Sequence, residues 1–164
     1  MNRWGFAEVG FAGLSRPGEL IAGLRLDEVY TRSERLRSGA GRTLQHWAGR
    51  LAAKHAVLRL LDVAPTAGHL RGAEVLPRPA ATCRRDAGCA HGHPPAVRLC
   101  GELARLTGVR QIRISISHTG DRALAVALVS ARLPEDETAL VAARLSEGET
   151  APVAGGPFRE EVPR

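Results

Sequence analysis

The 164-residue chain reads as an α+β domain, a small antiparallel sheet packed against one long helix. Three observations predict this. Residues 43–62 repeat apolar side chains at helical spacing. Residues 112–117 alternate Ile with Arg or Ser, and after a turn residues 123–129 (ALAVALV) run fully apolar. The segments follow in the order strand, helices, strands, helix, strands, with no internal repeat.

Residues 1–14 are apolar and glycine-containing, which suits a short strand, and Ser15-Arg16-Pro17-Gly18 breaks it. Residues 19–38 mix charge with leucine and predict one or two short helices. Thr31 and Glu34 fit a capping box at the start of one of them. On the long helix Leu44, Trp47, Leu51, His55 and Leu58 share a face, Thr43 is the expected cap, and Pro65 the expected stop. Residues 73–76 and 96–99 predict two strands joined by a Pro/Gly-rich insertion over 77–95, a flexible hairpin extension. A short helix is expected at 101–107. The domain closes near residue 130, and 131–164 read as a Pro/Gly-containing, partly disordered tail with room for a helix around 137–145.

Charge is unevenly placed. The basic residues are 22 Arg and one Lys, Lys54, and the formal net charge is +6. Residues 131–164 are net acidic by 3, so residues 1–130 carry +9. So basic a body predicts an anionic partner: nucleic acid, a phosphorylated small molecule or an acidic protein. No helix-turn-helix, zinc-finger or RNA-recognition motif accompanies the charge, and aromatic residues are only 4% of the chain, so nucleic acid is not the expected partner. No run of about 18 apolar residues predicts a membrane span. The N-terminal segment lacks the pattern of a signal peptide, and the three cysteines, Cys83, Cys89 and Cys100, are expected to be reduced thiols. A cytoplasmic protein is expected.

Three segments carry chemistry: Asp27-Glu28-Val29-Tyr30-Thr31-Arg32-Ser33-Glu34, Trp47-Ala48-Gly49-Arg50-Leu51-Ala52-Ala53-Lys54-His55-Ala56, and Ser115-Ile116-Ser117-His118-Thr119. In this order and spacing they resemble the 4′-phosphopantetheinyl transferase superfamily, and within it the holo-(acyl carrier protein) synthase branch, over about residues 4–130. The resemblance implies transfer of the 4′-phosphopantetheine arm of coenzyme A to a serine of an acyl carrier protein, in fatty-acid or polyketide biosynthesis. It implies magnesium (or manganese) as cofactor, coenzyme A as substrate and a homotrimer with sites between subunits. By the same resemblance, Arg50, Lys54, Arg59, Ser117, His118 and Thr119 would hold the phosphates of coenzyme A. Arg32 and Glu34 would lie near the substrate, and the Arg-rich segment 16–37 would meet the acidic carrier.

The chain departs from the family at both metal-ligand positions. The family's K-E-A glutamate is His55 here, and its strand aspartate, in a G-[IVT]-D pattern, is matched by Glu8 on counting back from Thr31. Glu8 and His55 are therefore the expected metal ligands in altered form, and with Lys54 the expected catalytic residues. Magnesium prefers oxygen ligands, whereas imidazole suits zinc, manganese or iron. The alternative is a family fold put to another use: binding a carrier protein, or catalysing a different step on a carrier-bound chain with His55 and His118 as acid and base. Cys83, Cys89, His91 and His93, near Cys100, cluster soft ligands for which a structural zinc is the alternative to a plain hairpin extension, and the spacing fits no strong zinc pattern.

Overall fold

In the computed structural model, residues 2–39, 43–78, 93–108 and 110–130 are described. Most of the 77–95 insertion, with Cys83, Cys89 and His91, and all of the 131–164 tail lie outside the described residues.

The architecture is α+β, as expected, but its strands form two sheets. Strands β1 (Trp4–Gly10), β4 (Gln111–His118) and β5 (Arg122–Ser130) make a three-stranded antiparallel sheet in the order β1-β5-β4. Strands β2 (Ala73–Pro77) and β3 (Pro95–Leu99) form a separate antiparallel pair. The pleat divides the first sheet into two chemical faces. Gly5, Ala7 and Val9 lie opposite Ala127, Ala125 and Ala123, and Ile114, Ile116 and His118 continue those rows on β4. This small-residue face packs against helix α3 (Leu44–Leu61). Trp4, Phe6 and Glu8 point the other way, with Leu128, Val126 and Leu124.

Small residues on the inner face let strand and helix approach closely. A Cβ at Gly5 would lie 1.9 Å from the carbonyl oxygen of Ala56, so only glycine fits there. One apolar stripe does not account for α3. Trp47, Ala48, Leu51, Ala52, Ala53, Val57, Leu58 and Leu60 are all buried, because the sheet covers one flank while α4 (Ala67–Gly72) and β2 lie against others. His55, placed by sequence on the apolar face, is only half-buried.

The ends of α3 also differ from expectation. Thr43 makes no side-chain cap, and its hydroxyl lies 3.1 Å from His46 Nδ1 instead. The helix stops at Leu61, before Pro65, because Asp62 turns left-handed (φ 61°) and the Val63 N–H closes back on the Leu58 carbonyl at 3.0 Å. Between β1 and α3 run a short 3-10 turn (Pro17–Ile21), helix α1 (Leu26–Val29) and helix α2 (Arg32–Gly39). The Thr31–Glu34 capping box forms: Thr31 N–H donates to Glu34 Oε2 at 2.8 Å, and Glu34 N–H to Thr31 Oγ1 at 3.2 Å. Helix α5 (Glu102–Thr107) links the β2–β3 pair to β4.

Candidate functional site

The sequence motifs converge on α3, but they separate there into two environments. The first is interior. Lys54 has no exposed side-chain surface, and its ammonium is surrounded by acceptors. Nζ lies 2.9 Å from Glu34 Oε1 and 3.0 Å from Oε2, and donates to the Leu70 carbonyl at 2.9 Å and the Ala73 carbonyl at 2.7 Å. An ammonium has three protons, so none remains for a ligand. The phosphate-binding and catalytic roles expected of Lys54 do not fit this placement.

Glu34 is equally saturated. It caps α2, accepts the Val75 N–H at 2.7 Å and balances Lys54. The network extends through Thr31, which donates to Glu74 Oε1 at 2.7 Å, and Arg98 Nη2 lies 2.6 Å from Glu74 Oε2. Burial pulls the Lys54 pKa below its ordinary value, and the Glu34 charge opposes that shift. Tyr30 closes the other side. Its ring centroid lies 5.6 Å from Nζ, it meets Trp47 edge-on at 5.0 Å, and its hydroxyl donates to the Trp47 carbonyl at 3.1 Å. Burial, then the nearby Glu34 charge, pushes that hydroxyl's pKa well up. Arg50 is also engaged: Nε donates to the Val75 carbonyl at 3.2 Å and Nη1 to the Ser38 hydroxyl. These residues tie α2, α3 and β2 together.

The second environment is exposed. His118 ends β4 on the face turned toward α3, where the Gln45 amide in the first turn of that helix meets its Nδ1. Thr119 begins the turn, its hydroxyl donating to Asp121 Oδ1 at 2.6 Å, and its N–H to the Arg122 carbonyl at 2.9 Å. Ser117 belongs to the opposite face, in the row of Leu124 and Glu8. Arg59, exposed one helical turn beyond His55, donates from Nη1 to the Phe6 carbonyl at 2.6 Å, which brings its guanidinium against β1. Burial, then the Arg59 charge, lowers the pKa of His55 below the usual imidazole value, favouring the neutral ring.

The expected pairing of Glu8 with His55 as metal ligands is contradicted by the pleat. Glu8 faces away from α3, and its carboxylate meets Arg122 Nη1 at 2.9 Å. In a G-x-D strand the glycine and aspartate share a face, since side chains alternate with period two. The face of Gly5 carries Ala7 and Val9, neither of them a carboxylate. His55 stands beside a guanidinium. This donor set does not fit magnesium, which is bound through oxygen. Among the described residues, no group of three or more His, Cys, Asp or Glu side chains is placed to hold a metal ion. Cys100 is exposed after β3, and the other residues of the alternative zinc cluster lie outside the described residues, apart from His93.

Two participants, Gln45 and Arg122, are not among the residues expected from sequence, and a third, Glu34, has a contact that the sequence does not show. Gln45 carries no motif signal. Arg122 lies just past the S-I-S-H-T segment and could have been suspected from its place after a turn. Glu34 is expected both as a cap and near the substrate, and the T-x-S-E spacing alone does not show that its carboxylate reaches a lysine on another helix.

Solved structures similar to this chain share its fold. No family model matches the chain, and no curated protein does. The class is defined by the fold: this is the α+β fold of the holo-(acyl carrier protein) synthases, within the 4′-phosphopantetheinyl transferases. The chain is similar to the synthase–coenzyme A complex of Chronobacterium ammoniagenes, at 26% identity and a TM-score of 0.60, covering 80% of this chain and 98% of that one. It is similar to the Helicobacter pylori holo-(acyl carrier protein) synthase in complex with coenzyme A, at 21% identity and a TM-score of 0.58, over 77% and 99%. It is also similar to the Mycobacterium tuberculosis acyl carrier protein synthase, at 26% identity and a TM-score of 0.52, over 78% and 96%. Among the described residues no helix is long and apolar enough to cross a membrane.

Proposed function

We propose that this chain transfers the 4′-phosphopantetheine arm of coenzyme A to a serine of an acyl carrier protein in the cytoplasm, in fatty-acid or polyketide biosynthesis. The observation that carries the reading is the likeness, over 98% of that chain's length, to a synthase solved as a complex with coenzyme A. In the reaction the serine oxygen bonds to the phosphorus that bears the pantetheine arm. The bond from that phosphorus to the bridging oxygen breaks, and adenosine 3′,5′-bisphosphate leaves. The serine proton passes to a base or to water.

Exposed groups of the chain suit parts of this task. If the Gln45 amide donates to Nδ1, His118 keeps its proton on Nε2 and offers it to a phosphate oxygen. Arg59 supplies a planar, permanently charged donor. Arg16, Arg32 and Arg37 are exposed on the segment that would meet an acidic carrier, while Arg25 is ion-paired with Asp27 at 2.7 Å. A homotrimer would cover the outer sheet face, where Trp4, Phe6 and Leu128 are 58%, 40% and 49% exposed.

A second reading is favoured by the missing carboxylates: a synthase fold that binds a carrier protein or acts differently on its bound chain. One experiment separates the two. Apo carrier proteins are incubated with this protein, coenzyme A and magnesium or manganese, or EDTA, and weighed by mass spectrometry. Transfer predicts a phosphopantetheine mass shift above the enzyme-free control. No shift on any carrier that a known synthase modifies supports the second reading. Native mass spectrometry of the same sample counts the subunits.

A further inference from the structure

We propose that the phosphate site beside α3 and β1 is metal-free: a diphosphate is met there directly by Arg59, with no divalent cation between protein and ligand. The inference rests on the proposed binding of coenzyme A and extends it to the chemistry of the site.

Charge is the first argument. A strand carboxylate and a helix carboxylate facing a diphosphate would place like charges together, and a divalent cation is what makes that arrangement tolerable. Here neither position supplies a carboxylate. The strand presents Gly5, Ala7 and Val9 to α3, and at the motif's glutamate position the helix carries the half-buried His55. The nearest strand carboxylate, Glu8, lies on the other face and is neutralised by Arg122 at 2.9 Å. With no protein carboxylate to bridge, a metal loses its anchoring ligands, and no protein anion remains beside the diphosphate for it to offset.

Geometry is the second argument. Arg59 spends one N–H on the Phe6 carbonyl at 2.6 Å, which fixes the guanidinium against β1 one helical turn from His55. A guanidinium has five N–H donors, so four remain, enough for bidentate contact with a phosphate. Lys54, the other cation that the motif would bring to phosphates, is fully engaged by Glu34 and two carbonyls. Of these two, Arg59 is the one left to balance the ligand.

The test uses the full-length protein with two probes. Mn2+ alone is titrated and followed by the electron paramagnetic resonance signal of the free ion. Coenzyme A is titrated calorimetrically in EDTA and in Mg2+. We expect no saturable Mn2+ binding, the same coenzyme A affinity in both buffers, and about tenfold weaker binding in Arg59→Gln, as for loss of one charge-assisted contact. The double variant Val9→Asp/His55→Glu restores oxygen ligands to the inner face, and it should gain both Mn2+ binding and Mg2+-dependent affinity. Stoichiometric Mn2+ binding by the unaltered chain, or coenzyme A binding that needs Mg2+, overturns the proposal. Absence of coenzyme A binding in either buffer overturns the proposed function and the direct Arg59–diphosphate contact with it, while the Mn2+ titration still decides whether the site takes a metal.

Discussion

Lys54 and His118 sit on matching family motifs, yet the structure treats them in opposite ways. Lys54 is sealed among Glu34, two carbonyls and the Tyr30 ring. His118 is exposed at a strand end, where among the described residues Gln45 meets its ring nitrogen. A motif residue can therefore belong to the scaffold that holds a site or to the surface that meets a ligand. Burial and the count of satisfied donors tell which, and residue type does not.

The largest effect that sharpens this contrast is Lys54→Met. It leaves Glu34 as a buried carboxylate without its cation, and breaking a buried pair from one side costs about 3–5 kcal/mol. Urea denaturation should show a loss of that size. The double variant Lys54→Met/Glu34→Gln should recover part of it, because the stranded charge is gone. A small loss for Lys54→Met, with coenzyme A binding abolished, would move Lys54 to the ligand side of the comparison.

His118→Ala probes the other environment and should do the reverse. The side chain is exposed and makes one polar contact among the described residues, so stability should stay within about 0.5 kcal/mol of the unaltered chain. Coenzyme A affinity should fall about tenfold, the worth of a hydrogen bond to a charged group. A variant that unfolds, or that binds coenzyme A as before, breaks the distinction between sealed and open motif residues.

Much of the fold was legible from sequence because period and punctuation carry it. The Ile112–Ser117 alternation, the apolar 123–129 run and the 43–62 helix all appear within a few residues of their expected bounds. The split into two sheets was not legible, since pairing partners are chosen by long-range packing that no local window contains. At the site, Glu8 lies on the sheet face turned away from α3, where counting along the chain did not place it. Counting back along the chain locates a residue to within one position, but one position on a strand exchanges the faces. Only the register, with Gly5 opposite Ala127 against α3, fixes Glu8 on the outside.

The smallest expected effect tests how the sealed region is held in place. Two of the three acceptor groups around Lys54 are the carbonyls of Leu70 and Ala73, in and just after α4. That helix is pinned by His69, whose Nδ1 lies 2.8 Å from the Ala64 carbonyl and whose Nε2 lies 3.3 Å from Glu102 Oε2. The Ala64 carbonyl first, and Glu102 second, raise the His69 pKa above its ordinary value. A histidine whose folded pKa is raised binds its proton more tightly in the folded state, so its contribution is complete below the unfolded pKa, near 6.5. The contribution fades as pH rises through the higher folded value. The stability difference between the unaltered chain and His69→Ala should therefore be greatest at acidic pH and shrink toward alkaline pH. Both partners are near the surface, so the change should stay below about 1 kcal/mol. A difference that grows with pH would mean that the neutral ring is the form that pins α4. Its link to the Lys54 acceptors would then be a plain hydrogen bond from Nδ1–H to Ala64, with Glu102 uninvolved.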